Sequence, residues 1–394
     1  MGKKIQKSIC IFGANFMLDQ VTRLEDEINS ALDAQDIEHI HRMRVASRRL
    51  RNAFEHFKDC FPKKKSKTWQ EDIRLITKSL GTARDLDIQI ERLSQLYVES
   101  LDPQFKPGYQ CLILRLKQRR VKAQNKVEKT LKKLQEGRAL EKIHLGVEKL
   151  SVDTEDIYLY TPSLYQRAFT AINTTLEDFM SHAEFIQSPE NVEELHAMRI
   201  AGKKLRYTIE LFSPIYKQAM IPYVQVMKDI QDQLGNIHDD DIWVSWLPKF
   251  IIKEEARIEN YFGNTGPLNR LLPGIEFLIE DRKNSRAKEY QSFLTTWQTL
   301  QDENAWNAIK EIINTPINVE AALQHLTVEE EFNPEMDIVE EEVLEEEEKE
   351  EEEEKEEEED NTAEAEVTPP LDNEEKSTDA HNAWIHLDEP PSEP

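Results

Sequence analysis

Apolar residues recur at steps of three and four from Ile9 to Asn314, and the alternation expected of strands is almost absent. That spacing keeps a stripe of side chains on one side of an α-helix, so it predicts an all-α chain. Polar or Pro/Gly interruptions at Pro62, Gly81, residues 103–107, Pro162, Pro189, Gly235 and residues 263–267 divide the pattern into separate helices. The opening residues imitate a leader, with Lys3, Lys4 and Lys7 before an apolar stretch. Asn15 interrupts that stretch, and the pattern runs on amphipathically through Leu18, Val21 and Leu24, so a first core helix is expected. No apolar run approaches the roughly 20 residues of a membrane span, and no membrane association is expected.

One helical segment occurs twice. Residues 41–51 read H-R-M-R-V-A-S-R-R-L-R, and residues 196–206 read H-A-M-R-I-A-G-K-K-L-R. In the first copy His41, Arg44, Arg48 and Arg51 stack along one side, opposite Met43, Ala46, Leu50 and Phe54. The second copy repeats both faces with His196, Arg199, Lys203 and Arg206 against Met198, Ala201, Leu205 and Ile209. The repeat extends further: Arg74 matches Lys228, and residues 80–87 (L-G-T-A-R-D-L-D) match residues 234–241 (L-G-N-I-H-D-D-D). An offset of about 155 residues is too long for a solenoid and fits a duplicated helical bundle, with halves at residues 1–155 and 156–316. Gly81 and Gly235 are expected to end helices in the left-handed conformation, with Asp85 and Asp239 capping the helices that follow.

Charge changes the picture at the C-terminal end. The net charge is -27, yet 31 of the 77 acidic residues lie beyond Val328, against three of the 50 basic ones. The body is therefore close to neutral, and clustered bases on it imply an uneven surface field. Residues 317–394 are acidic and low in complexity, and are expected to be disordered because they offer too little apolar surface to offset ordering. Such a tail could compete intramolecularly for a basic groove, or act as a solubilising spacer. Cys10, Cys60 and Cys111 are few, odd in number and lack metal-ligand spacing, which predicts reduced thiols in a cytoplasmic compartment.

Four like charges on one helix face repel one another, and an anion is the natural compensation. A third basic stripe, Arg115, Arg119, Lys122, Lys126, Lys129 and Lys133, suggests another wall of the same groove. Guanidinium forks grip phosphate oxygens in pairs, and lysines add point charge. Aromatic residues are not interleaved with these bases, which favours phosphates without nucleobases. His238-Asp239 resembles half of a metal site, but companion ligands at helical spacing are missing, and no metal or cofactor is expected. Glu345-x-Glu347-x-Lys349 imitates a tunnel-enzyme motif but falls within low-complexity sequence. Two other readings stay open at this level: a nucleic-acid-binding helical protein, and a metal-dependent phosphohydrolase using His41, His196 and the Asp85/Asp239 region.

The duplicated H-x-x-R-[VI]-x-x-[RK]-[RK]-L-R motif, each copy followed by Leu-Gly and an Asp-containing segment, resembles the CHAD domain, the conserved histidine α-helical domain. The likeness covers residues 9–314. It implies two four-helix bundles with pseudo-twofold symmetry, the basic helices facing a central cavity. It further implies binding of inorganic polyphosphate and association with polyphosphate granules, without catalysis by the domain. Carried over, His41, Arg44, Arg48, Arg49 and Arg51 match the first motif, and His196, Arg199, Lys203, Lys204 and Arg206 the second. Arg74, Lys228, Arg115, Arg119, Lys122 and Lys126 join them as candidate polyphosphate contacts on position alone. Polyphosphate-metabolising enzymes are a further class of expected partner, and nucleic acid is the disfavoured one.

Overall fold

The computed structural model describes residues 5–33, 37–151, 161–314 and 331–332. The first half contributes α1 (Lys7–Asp33), α2 (Ile37–Phe57), α3 (Lys63–Glu99), α4 (Lys106–Glu136) and a short α5 (Ala139–Glu148). The second contributes α6 (Pro162–Ser181), α7 (Val192–Tyr216), α8 (Ile221–Phe262), α9 (Leu272–Asp302) and a short α10 (Ala305–Ile313). In the first half α2 packs between α1 and α3, α4 lies on α3, and α5 returns to α1. The second half repeats that order, with α7 between α6 and α8, α9 on α8, and α10 against α6. Each half thus carries a short fifth helix beyond the four expected. Among the described residues the other regular elements are four short 3-10 helices and a two-residue antiparallel ladder, β1 (Ile5–Gln6) with β2 (Glu331–Phe332). The rest of the expected disordered tail lies outside the described residues, and so do both roles read for it, competition for the basic groove and solubilising spacing.

The predicted apolar stripes form the core. Met43, Leu50 and Phe54 on α2, and Met198, Leu205 and Ile209 on α7, are fully buried. The halves meet where α2 packs on α7, α4 on α9 and α1 on α6. Phe12, Phe57 and Phe212 bring α1, α2 and α7 together, with Phe12 and Phe212 stacked at 6.0 Å between centroids. At the α4–α9 crossing a Cβ on Gly108 would lie 2.5 Å from the Leu271 carbonyl oxygen, and one on Gly274 would lie 2.2 Å from that of Phe105. Only glycine permits so close a backbone approach.

Two expectations are overturned. Gly81 and Gly235 do not end helices, because α3 and α8 run through them and neither has a positive φ. The buried stripe stays in helical phase across each glycine, through Ile73, Ile76, Leu80 and Ala83 in α3 and through Ile230, Leu234 and Ile237 in α8. That burial outweighs the ~1 kcal/mol that glycine costs relative to alanine inside a helix. The left-handed cap falls instead at Gly263, φ 71°, where α8 ends. The cysteines are also not all reduced: Cys10 of α1 and Cys60, just beyond α2, form a buried disulfide, and Cys111 remains free. Their sparse spacing hid a pair that packing of α1 on α2 brings to a Cα separation of 5.3 Å. The cysteine argument for a reducing compartment therefore falls away.

Candidate functional site

The two basic stripes converge, because α2 and α7 pack on each other and each turns its apolar stripe into its own half. Arg44 has Arg48, Asp85, Tyr207 and Arg199 as its charged or polar neighbours. Arg199 in turn has Asp239, Arg48 and Asp85. Lys203 completes the group, facing Arg199, Arg48, Arg44 and Asp85. Four cations from both repeats thus share one cluster with two acids. Arg44 donates from Nη2 to Asp85 Oδ1 at 3.1 Å, while the Asp85 side chain itself is 59% exposed.

The glycines that failed as caps lie under this cluster. A Cβ on Gly81 would sit 3.9 Å from Arg44 Nε, and one on Gly235 would sit 3.8 Å from Arg199 Nε. Each basic helix therefore lays its first arginine across the glycine turn of the following helix, the same contact in both halves. The distances are ordinary van der Waals contact, so alanine fits. Gly81→Ala and Gly235→Ala are each expected to raise stability by roughly 0.5–1 kcal/mol, read from the thermal midpoint. A left-handed cap would give a loss instead.

The histidines head each stripe beside the matching residue of the neighbouring helix. His41 faces Arg84 of α3, and burial followed by that guanidinium lowers its pKa. His196 stacks on His238 of α8, with ring centroids 4.0 Å apart and planes at 27°. Burial, then Arg199, His196 and Lys203, push His238 down to about 3. Burial and the three guanidinium groups bring Lys203 to about 7, with Asp85 only partly opposing them. The Nδ1 atoms of His41 and His196 and the Nε atoms of Arg44 and Arg199 are buried with no hydrogen-bond partner. Buried polar nitrogens without partners are costly, and here they recur at equivalent positions of two repeats.

Other motif residues serve elsewhere. Arg49 donates to Glu210 at 3.1 Å and Arg206 lies 3.6 Å from the same carboxylate, its guanidinium 4.8 Å above the Tyr207 ring. Lys204 pairs with Glu55 at 3.8 Å. Arg49 and Lys204 therefore help tie α2 to α7, while Arg206 pairs within α7. Arg51 is at the exposed end of its stripe, with Arg74 among its charged neighbours. Lys228 is exposed on α8.

The third wall is not assembled as expected. Arg115 is held by Glu254 through Nε at 3.0 Å and Nη2 at 2.5 Å, and Arg257 pairs with the same buried carboxylate. It lines a separate cavity of about 1060 Å³, bounded by Leu114, Ile258, Tyr261 and Phe262 and touched by no residue of either repeated motif. Arg119 lies over the Trp246 ring, 5.7 Å from its centroid. Lys122 and Lys126 are exposed on α4. The α4 stripe runs outward because α4 packs on α3 and α9, not on α2 or α7.

The acids after each glycine were missed as partners. Asp85 and Asp239 belong to the cluster, whereas Asp87 and Asp241 tie α3 to α4 and α8 to α9 through Arg120 at 2.6 Å and Arg286 at 2.7 Å. The signal was available in the spacing: glycine followed three and four residues later by Arg/His and Asp puts all three on one helix side. Among the described residues no group of three or more His, Cys, Asp or Glu side chains could hold a metal ion, and no helix is long and apolar enough to cross a membrane.

Residues 16–248 match the family described as the CHAD domain, a span that contains both motifs and both glycine segments. The chain belongs to the CHAD domain family. A solved structure of the CHAD domain from the plant Ricinus communis is similar in fold, at 17% identity and a TM-score of 0.53, over 75% of this chain and 93% of that one. PptA from Streptomyces chartreusis is 15% identical, with a TM-score of 0.49, over 73% of this chain and 98% of that one. No curated protein gives a significant match. The CHAD match ends at Pro248, inside α8, although the helical fold continues through α9 and α10.

Proposed function

We propose that this CHAD protein binds inorganic polyphosphate, with Arg44, Arg48, Arg199 and Lys203 as its central grip. The observation that carries the reading is the convergence of both repeats on one cluster of four cations and two acids, with unpartnered buried nitrogens at matching positions. Such a cluster is under internal repulsion, and a linear polyanion relieves it along its length. His41 and His196 stand at the head of each stripe, with Arg51 and Arg74 at the exposed end of the first.

The protein acts as a binder and carries out no catalytic step of its own. Retention on the polymer would place it on polyphosphate granules, where it could hold a polyphosphate-metabolising enzyme in place. Calorimetric titration with length-defined polyphosphate, run against single-stranded RNA over a salt series, tests the reading. Tighter binding with chain length and steep weakening with salt are expected, because multivalency and counterion release supply the affinity. Preference for RNA would transfer the site to the nucleic-acid class.

A further inference from the structure

The two repeats differ at the positions that build the cluster. Where α2 carries Arg48, α7 carries Lys203; where α3 carries Arg84, α8 carries His238. Both differences exchange a guanidinium, which stays charged, for a group that can lose its proton. The exchanges also meet in space. Lys203 and His238 are neighbours, each also faces Arg199, and His196 stacks on His238.

Every element around this wall adds to the same balance. Arg44 and Arg48 face Lys203 from α2, Arg199 from its own helix and Asp85 from α3. On α8, Asp239 has Arg199, Asp85, Lys203 and Arg92 as its charged neighbours. Among the described residues, burial and the cations Arg199 and Lys203 act on the two stacked imidazoles with no carboxylate opposing them. The buried Nδ1 of His196 lacks a partner even when neutral.

We infer that the cluster takes up protons as it binds a polyanion, and that the second repeat, through Lys203 and the His196–His238 pair, is the half that takes them up. The inference rests on the polyphosphate reading and deepens it. In the first repeat Arg48 and Arg84 hold fixed charge, so that half grips at any pH. In the second repeat charge appears with the ligand. Burial and like charges depress Lys203 to about 7 and His238 to about 3, and they lower His196. Bound phosphates oppose the like-charge cause directly, so each group binds its proton more tightly in the complex. The complex then holds more protons than the free protein, and affinity must fall as pH rises. For Lys203 the fall begins near pH 7 and continues until its raised pKa in the complex is passed. One linked proton changes affinity by about tenfold per pH unit within that window.

The test uses the full chain and long-chain inorganic polyphosphate, whose titrating end groups are a negligible fraction of its phosphates. Calorimetric titrations at pH 8 in two buffers of different ionisation enthalpy are expected to differ by uptake of about one proton per protein. Affinity is expected to drop several-fold from pH 7.5 to 8.5. The variant Lys203→Arg/His238→Arg, which gives the second repeat the residues of the first, is expected to lose the uptake. Lys203 13Cε shifts in the wild-type chain give an independent reading: titration near pH 7 when free, and none below pH 9 when bound. Buffer-independent enthalpy with binding intact overturns this inference and leaves the polyphosphate reading standing. Absence of binding in every buffer overturns both. Unchanged uptake in a folded double variant, or a Lys203 signal that does not move with ligand, overturns the assignment to the second repeat.

Discussion

Replacing Arg48 and Lys203 together with glutamine is expected to weaken polyphosphate binding by at least about a hundredfold while leaving the fold as stable as before, or more so. Each removes one charge-assisted phosphate contact, worth roughly 1.5–3 kcal/mol, and two such losses amount to about 100-fold to 10,000-fold in affinity. The fold is spared for an electrostatic reason. Arg48 faces Arg44, Arg199 and Lys203, and Lys203 faces three guanidinium groups against the carboxylates of Asp85 and Asp239. Removing two of four crowded cations relieves repulsion, so the thermal midpoint should hold or rise. Arg44 is a poorer choice, since it also bonds Asp85 across to α3. A loss of binding accompanied by a lowered midpoint would instead mark Arg48 and Lys203 as structural.

The opposite result is expected at Asp240, the residue that follows Asp239 on α8. Asp240 is 0% exposed, its Oδ1 lies 3.1 Å from Arg282 Nη1 and 3.6 Å from Arg92 Nη2, and Arg282 itself is 7% exposed. Arg282 also pairs with Asp281. Asp240→Ala leaves the Arg282 guanidinium buried with less compensation, which typically costs about 3–5 kcal/mol. The urea midpoint should fall accordingly, while the affinity of the remaining folded protein for polyphosphate should change little. Asp85→Ala provides the contrast, because a pair with one 59% exposed member contributes within about 1 kcal/mol. Equal stability losses in the two variants would contradict the division between a binding cluster and the ties that hold α3, α4, α8 and α9.

The sequence made the helices, their apolar stripes and the duplication legible because helical periodicity is local and the repeat compares the chain with itself. It also made the four central cations legible, since steps of three and four force Arg44 and Arg48, and Arg199 and Lys203, onto one side. Tertiary contacts were another matter. Gly81 and Gly235 looked like stops, because a glycine after leucine at a helix end and a glycine under an arginine look alike until packing decides. Glu210, which claims Arg49 and Arg206, lies about 160 residues from Arg49 in the chain, and no local pattern links them. Glu254 likewise takes Arg115 out of the basic stripe from the far half of the fold. Cys10 and Cys60 were read from number and spacing, which carry no information on distance. What sequence could show was which charges share a helix face; which of those charges remain unneutralised required the partners.

The central claim, that the unneutralised charge at the α2–α7 contact serves a base-free phosphate polymer, is tested most directly by competition on the full chain. Protein preloaded with fluorescent single-stranded RNA is titrated with length-defined polyphosphate at several salt concentrations, and the reverse titration is run alongside. Polyphosphate should displace the RNA, more effectively as its chain lengthens, and its affinity should fall steeply with salt. RNA that displaces polyphosphate, or polyphosphate affinity indifferent to both chain length and salt, would contradict the account.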